Sequence, residues 1–120
     1  MLHLSASTSY YFYNLPTDMR KGFDSLSGLI QQHMQLNVQS GAVFIFFNKK
    51  RNQVKLLLWE GDGLSLYYKR LEEGTYELPV IQNNNFLIAP NHLQLILQGI
   101  QIKNVRYKKR YPHHVGKLSS

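Results

Sequence analysis

Residues 43–71 read VFIFFNKKRNQVKLLLWEGDGLSLYYKRL. Three runs rich in Val, Phe, Ile, Leu, Trp and Tyr, Val43–Asn48, Gln53–Glu60 and Leu64–Leu71, are separated by Lys-Lys-Arg-Asn and Gly-Asp-Gly. That is the pattern of β-strands joined by tight polar turns. A loop over Lys49–Asn52 predicts Phe47 opposite Val54, Ile45 opposite Leu56 and Val43 opposite Leu58. A loop over Gly61–Gly63, with a glycine free to adopt positive φ, predicts Leu58 opposite Leu66 and Leu56 opposite Tyr68. Because side chains alternate, a slip of one residue sends each set to the other face. In this register Val43, Ile45, Phe47, Val54, Leu56, Leu58, Leu64, Leu66 and Tyr68 form the core face.

The opposite face then carries Phe44, Phe46, Lys55, Leu57, Trp59, Ser65, Tyr67 and Lys69. Rings interleaved with lysines suit a nucleic-acid stacking platform, since rings accept bases and ammonium groups answer phosphates. The same residues also suit a face covered by a helix, with the lysines reaching past its rim. Both readings stand at this level.

Working outward, Tyr10–Tyr13 predicts a short first strand ended by Asn14-Leu15-Pro16. Thr17 as N-cap and Asp18 in the first turn predict a helix to about Leu36, with Met19, Phe23, Leu26, Ile30 and His33 or Met34 on its apolar stripe. Arg20 and Lys21 in that first turn oppose the helix dipole and so mark either a partner surface or a local balance with Asp18 and Asp24. After Leu71, Glu72-Glu73-Gly74 predicts a turn into a strand Thr75–Leu78, placing Glu77 beside Lys69 and Leu78 beside Tyr68. Phe86–Ile88 predicts an edge strand. Pro90 opens a second helix, with Leu93, Ile96, Leu97 and Ile100 on one side and Gly99 at its end. The fold class predicted is α+β: one small domain over residues 1–102, an antiparallel meander of four to five strands packed against an N-terminal helix and a shorter C-terminal helix. A basic, flexible tail follows over residues 103–120.

The chain has 120 residues and 43% hydrophobic composition, enough for one modest core. It has no cysteine, which removes disulfides, CxxC redox motifs and thiolate zinc sites, and fits a reducing compartment. No apolar run is long enough to span a bilayer, and MLHLSASTSYY lacks the regions of a signal peptide, so a soluble cytoplasmic protein with no membrane partner is expected. Net charge is +7 and unevenly placed: residues 1–48 balance, Lys49, Lys50, Arg51 and Lys55 cluster, and the segment from Lys103 onward holds basic residues and no acid. Such blocks point to an acidic partner, most often nucleic acid.

Catalytic chemistry finds few residues. Each acid has a local explanation as dipole partner, turn former or cross-strand ion pair, and only Asp18 with Glu60 and Asp62 merits consideration as a converging metal-nuclease set. His33 lies on the helix stripe, and His113 and His114 are adjacent in the tail. No phosphate-cradling glycine motif, nucleophile elbow or metal-spaced histidine pair occurs, so neither a catalytic residue, a metal site nor a cofactor is expected.

Three blocks carry a family resemblance: Thr17–Leu26 (TDMRKGFDSL), Lys55–Leu71 (KLLLWEGDGLSLYYKRL) with Glu73-Gly74 after it, and Ala89–Ile100 (APNHLQLILQGI). In order and spacing they resemble the small accessory protein, often called Orf2 or TnpB, of the bacterial insertion-sequence family of the sixty-six type. The chain departs from that family's pattern at Leu58-Trp59-Glu60, where two tryptophans and an aspartate are usual, and at Ala89, where Ser or Thr usually precedes the proline. The resemblance implies a protein encoded beside a transposase and accessory to transposition, with the strand-transfer chemistry belonging to the transposase. It supplies no catalytic residue. Joined to the charge pattern, it predicts a non-enzymatic accessory that contacts DNA, with the transposase of the same element as a second partner. The phosphate contacts expected are Arg20, Lys21, Lys49, Lys50, Arg51, Lys55, Lys69 and Arg70, with Arg106, Lys108, Lys109 and Arg110 as a mobile arm and Trp59 and Tyr67 as stacking rings if their face is open. The alternative is a module that binds the transposase without touching DNA.

Overall fold

The computed structural model describes residue 5 and residues 7–80 and 86–98. A five-stranded sheet in the order β4-β3-β2-β1-β5 forms the middle layer. Its strands are β1 (Tyr10–Phe12), β2 (Val43–Phe47), β3 (Gln53–Trp59), β4 (Leu64–Arg70) and β5 (Leu87–Ile88). Helix α1 (Phe23–Leu29) continues into a π-helical turn over Ile30–Met34, and α2 (Pro90–Leu97) follows β5. The α+β expectation holds, with β2, β3 and β4 as an antiparallel meander. β1 joins it as a parallel neighbour of β2, and β5 pairs antiparallel with β1. A parallel pair needs a long crossover, and α1 lies within it.

The first hairpin pairs Phe47 with Val54, Ile45 with Leu56 and Val43 with Leu58, as its loop length predicts. The second hairpin is shifted by one residue: Leu58 pairs with Ser65, Leu57 with Leu66, Leu56 with Tyr67 and Lys55 with Tyr68. The turn explains the shift. The Glu60 amide donates to the Gly63 carbonyl at 2.9 Å, so only Gly61 and Asp62 form the loop, and Gly61 sits at φ +95°. Positive φ at the first position of a two-residue loop is the requirement of a type II′ hairpin turn. Gly63, counted in the loop from sequence, belongs to the ladder. The slip moves Leu64, Leu66 and Tyr68 to the face shared by Phe44, Phe46, Lys55, Leu57 and Trp59, and moves Ser65, Tyr67 and Lys69 to the other.

Both faces are covered. On one side Leu26, Ile30 and Met34 of α1 and its π-helical extension pack on Phe44, Phe46 and Leu57, with Leu64 and Leu66 partly buried at the margin. On the other, Leu93 and Ile96 of α2 and the ring of Tyr76 pack on Phe12, Ile45, Phe47, Val54 and Leu56, with Tyr67 at the margin. Tyr76 is the largest fully buried side chain; burial, with Tyr67 nearby, pushes its hydroxyl up to about 12.

Two elements differ from expectation. Helix α1 starts at Phe23 rather than near Thr17, because Asp18 folds its carboxylate back onto the Arg20 amide at 2.9 Å and makes a separate turn. Thr17 is no N-cap; it is buried, and its amide donates to the Phe47 carbonyl at 2.8 Å. Arg20 and Lys21 therefore precede the helix. The predicted strand Thr75–Leu78 does not form, nor do the Glu77–Lys69 and Leu78–Tyr68 pairs. Instead the chain leaves β4, and the Tyr76 amide donates to the Arg51 carbonyl at 2.6 Å, turning its ring under the sheet. α2 begins with Pro90 in its first turn and Ala89 as N-cap without a side-chain hydrogen bond. Gly99, Ile100 and residues 103–120 lie outside the described residues.

A β-carbon at Gly61 would meet nothing within 4 Å, so Gly61→Ala tests the φ requirement alone. It should lower stability by about 1–2 kcal/mol in denaturant unfolding, and an unchanged midpoint would contradict the turn assignment.

Candidate nucleic-acid interface

The β2–β3 hairpin tip is built by Asn48. Its Oδ1 accepts from the amides of Asn52 at 3.0 Å and Gln53 at 2.9 Å, and its Nδ2 donates to Asn52 Oδ1 at 2.7 Å. The Arg51 amide donates to the Asn48 carbonyl at 3.1 Å, and Arg51 adopts φ +60°. A left-handed conformation at a residue with a β-carbon costs roughly 1–2 kcal/mol; the Tyr76 amide on the Arg51 carbonyl helps hold it there. Lys49, Lys50 and Arg51 are exposed as a result. Asn48 and Tyr76 were not singled out from sequence. An asparagine at the start of a polar turn is the signal that could have found the first; nothing local marks the second.

Beside the tip, Pro16–Arg20, Asn48–Lys50, Gln53 and Tyr68 line an open concavity of about 570 Å³. The Tyr68 hydroxyl donates to Gln53 Oε1 along its wall. Arg20 stands 91% exposed, its guanidinium forked onto Asp18 with Nη2–Oδ2 at 2.7 Å and Nε 3.0 and 3.1 Å from the two oxygens. These bonds, with that of the Arg20 amide, hold the Asp18 carboxyl down at about 2. Lys69 and Arg70 reach the same end of the sheet, opposite Val54 and Gln53, and Arg70 lies 4.0 Å from Glu72 in a solvent-exposed contact. Among the described residues, Lys21, Lys49, Lys50, Arg51 and Lys69 have no acidic partner within ion-pair distance.

Lys55 differs from these. It is 6% exposed, and its Nζ donates to the carbonyls of Met19 and Lys21, both at 2.8 Å, while lying 4.7 Å from the centre of the Tyr68 ring. Its charge faces inward, tying the turn before α1 to the sheet. The sequence signal was present: one lysine on a face otherwise filled by Phe44, Phe46 and Leu57.

The stacking platform does not assemble. Phe44, Phe46 and Leu57 are fully buried beneath α1, and the one-residue slip places Trp59 and Tyr67 on opposite faces, each half-buried. Nor do the three acids converge. Asp18 lies beside the β2–β3 tip, whereas Glu60, accepting from Ser65 Oγ, and Asp62 lie at the other end of β3, roughly 20 Å away for a seven-residue strand. His33 is exposed; its Nε2 lies 3.1 Å from Asn14 Oδ1 and its ring packs against Tyr13 and Phe86. Arg106, Lys108, Lys109 and Arg110 lie outside the described residues. The described part holds eight Lys and Arg against seven Asp and Glu, so most of the +7 excess belongs to the segment beyond it. No described helix is long and apolar enough to cross a membrane.

Replacing Lys55 by Met should leave two carbonyls without their donor and lower stability by about 2–3 kcal/mol in denaturant unfolding; a loss below about 0.5 kcal/mol would mean that water replaces the ammonium. The Asp18 carboxyl, followed by NMR, should titrate near 2 in the native chain and move toward the ordinary 3.8 when Arg20 is replaced by Ala. Since the folded-state value is the lower one, the turn's stabilisation is present above the ordinary carboxylate pKa and is lost as pH falls through about 2.

Comparison with known proteins places the chain in a family. The family model described as "IS66 Orf2 like protein" matches residues 8–107. Uncharacterized protein y4hO of Sinorhizobium fredii is 34% identical over 84 residues, covering 70% of this chain and 73% of that protein. Uncharacterized protein y4jC of the same organism is 26% identical over 93 residues, covering 78% of this chain and 80% of that protein. No solved structure matches the chain. The matched span contains every described strand and helix, together with the basic tip and the Lys55 tie, and the chain belongs to the IS66 Orf2-like family of transposition-associated accessory proteins.

Proposed function

We propose that this protein serves transposition without catalysing it, by contacting DNA through the β2–β3 tip. The observation that carries the reading is the gathering of cations at one end of the sheet: Lys49, Lys50 and Arg51 at the tip, Lys69 and Arg70 on β4 and Arg20 on the lip of the concavity. Asn48 and Tyr76 fix the tip backbone, so its three charges are presented on a rigid turn. Of these, Lys49, Lys50, Arg51 and Lys69 have no acidic partner among the described residues and are free to displace counterions from phosphates. Lys55 is left out of the contact set because its ammonium is engaged by Met19 and Lys21. Trp59 and Tyr67 take no joint stacking role. Arg106, Lys108, Lys109 and Arg110 add a second basic segment that strengthens binding without setting its register.

The near balance of charge in the described part favours one other reading, in which the fold binds the transposase of its element and DNA contact is incidental. Titration of labelled element-end and scrambled DNA, double- and single-stranded, at two salt concentrations separates them. The DNA reading expects salt-sensitive binding, and replacement of Lys49, Lys50 and Arg51 by alanine should flatten the log–log salt slope by roughly 2–3. Absence of binding at low salt, or a slope unchanged in the triple variant, would move the assignment to the transposase as partner.

A further inference from the structure

The outer edge of β4 is a long strand edge with nothing on it among the described residues. Its ladder to β3 alternates. The Glu60 amide bonds to Gly63 and the Leu71 amide to Asn52, with Leu58 opposite Ser65, Leu56 opposite Tyr67 and Val54 opposite Lys69 between them. In an antiparallel ladder such pairs take the hydrogen bonds at every second residue. The amides and carbonyls of Leu64, Leu66, Tyr68 and Arg70 therefore point away from β3. β4 closes one side of the sheet, and the chain after it turns back to the β2–β3 tip rather than along the edge. On the α1 side the same strand shows Leu64 and Leu66 half-buried and Tyr68 51% exposed.

Charge along this edge is polar in the literal sense. Glu60 and Asp62 stand at its start; Lys69 and Arg70 stand at its end, with Arg70 in an exposed 4.0 Å contact to Glu72. Charged side chains on an edge ordinarily deter pairing. Here their order decides the outcome by orientation. A parallel neighbour of the same sequence would set cation against cation and acid against acid. An antiparallel copy sets acid against cation at both ends. A two-fold axis at Leu66 places Asp62 opposite Arg70 of the second copy, Leu64 opposite Tyr68, and Leu66 opposite Leu66. Leu64, Leu66, Tyr68 and Arg70 are positions whose backbone groups point outward, and Asp62 stands in the turn that precedes them.

We propose that two copies of this chain pair antiparallel through β4, joining their sheets into one continuous sheet across a two-fold axis. The proposal is independent of DNA contact. It would set the two basic tips at opposite ends of the β4–β4 seam, each copy presenting its own.

The test is the mass and self-association of the full chain, freed of nucleic acid, by light scattering and sedimentation from about 10 to about 500 µM, the span over which interfaces of limited area dissociate. A species of twice the 14.0 kDa chain mass is expected. Leu66→Pro removes an amide that makes no bond among the described residues, so it should weaken dimerisation at least tenfold while the circular dichroism spectrum stays native. Asp62→Arg and Arg70→Asp should each weaken it, and the double variant should regain most of the loss. In one chain these residues lie at opposite ends of β4, so rescue arises only between copies. A monomer throughout the range would overturn the proposal; it is also the result expected if a segment of the same chain or another protein occupies the edge. A dimer indifferent to Leu66→Pro, or charge variants without rescue, would overturn it as well. The charge pair keeps the test decisive should the proline variant fail to fold.

Discussion

The ammonium of Lys55 accounts for more of this structure than any other single group. A lysine on a central strand, beneath a helix, needs acceptors for its protons, because an unpaired buried charge is far costlier than a buried methylene chain. Met19 and Lys21 supply two carbonyls and Tyr68 a ring face. Satisfying that cation ties the turn ahead of α1 to the sheet, and the Asp18 turn within the same segment sets where α1 begins. The two sequence blocks that carry most of the family resemblance, TDMRKGFDSL and KLLLWEGDGLSLYYKRL, are far apart in the chain and meet at this atom. Their joint occurrence has a physical reason: one block provides the donor and the ring, the other the acceptors.

The tip illustrates a different trade. Arg51 occupies a conformation that glycine would adopt without strain, and the hydrogen bonds of Asn48 and Tyr76 offset the cost. A glycine there would steady the turn and forfeit a cation. Retaining arginine is coherent if the charge at that point matters to a partner.

Much of the architecture was legible in the sequence because it is written locally. Strand limits for β2 to β4, the first hairpin register, the edge strand near Leu87 and the proline at the start of α2 all follow from alternation and turn residues. What failed was decided by choices worth little energy or made at long range. Whether Gly63 belongs to loop or ladder is a matter of one hydrogen bond, yet it reassigned every side chain of β4 and separated Trp59 from Tyr67. The start of α1 depended on Asp18 capping a turn of its own. Tyr76 looked like a strand residue because its partner, the Arg51 carbonyl, lies in a distant loop. The basic site was read as a set of charges, and most of that set stays at the surface; Lys55 left it for a reason visible only once the covering helix was known.

The strand order carries a kinetic consequence. β2, β3 and β4 form from neighbours in the chain and close short loops, whereas β1 and β5 pair across nearly the whole described length. Local contacts form fast and distant ones slowly, since chain closure must precede their reward. The meander can therefore assemble early, while Tyr10–Phe12, made before it, is seated among the last. Until Leu87 and Ile88 arrive, one side of β1 and the sheet face that α2 will cover stay open to solvent, so the fold is at its most vulnerable to misassembly in the interval before β5 and α2 dock.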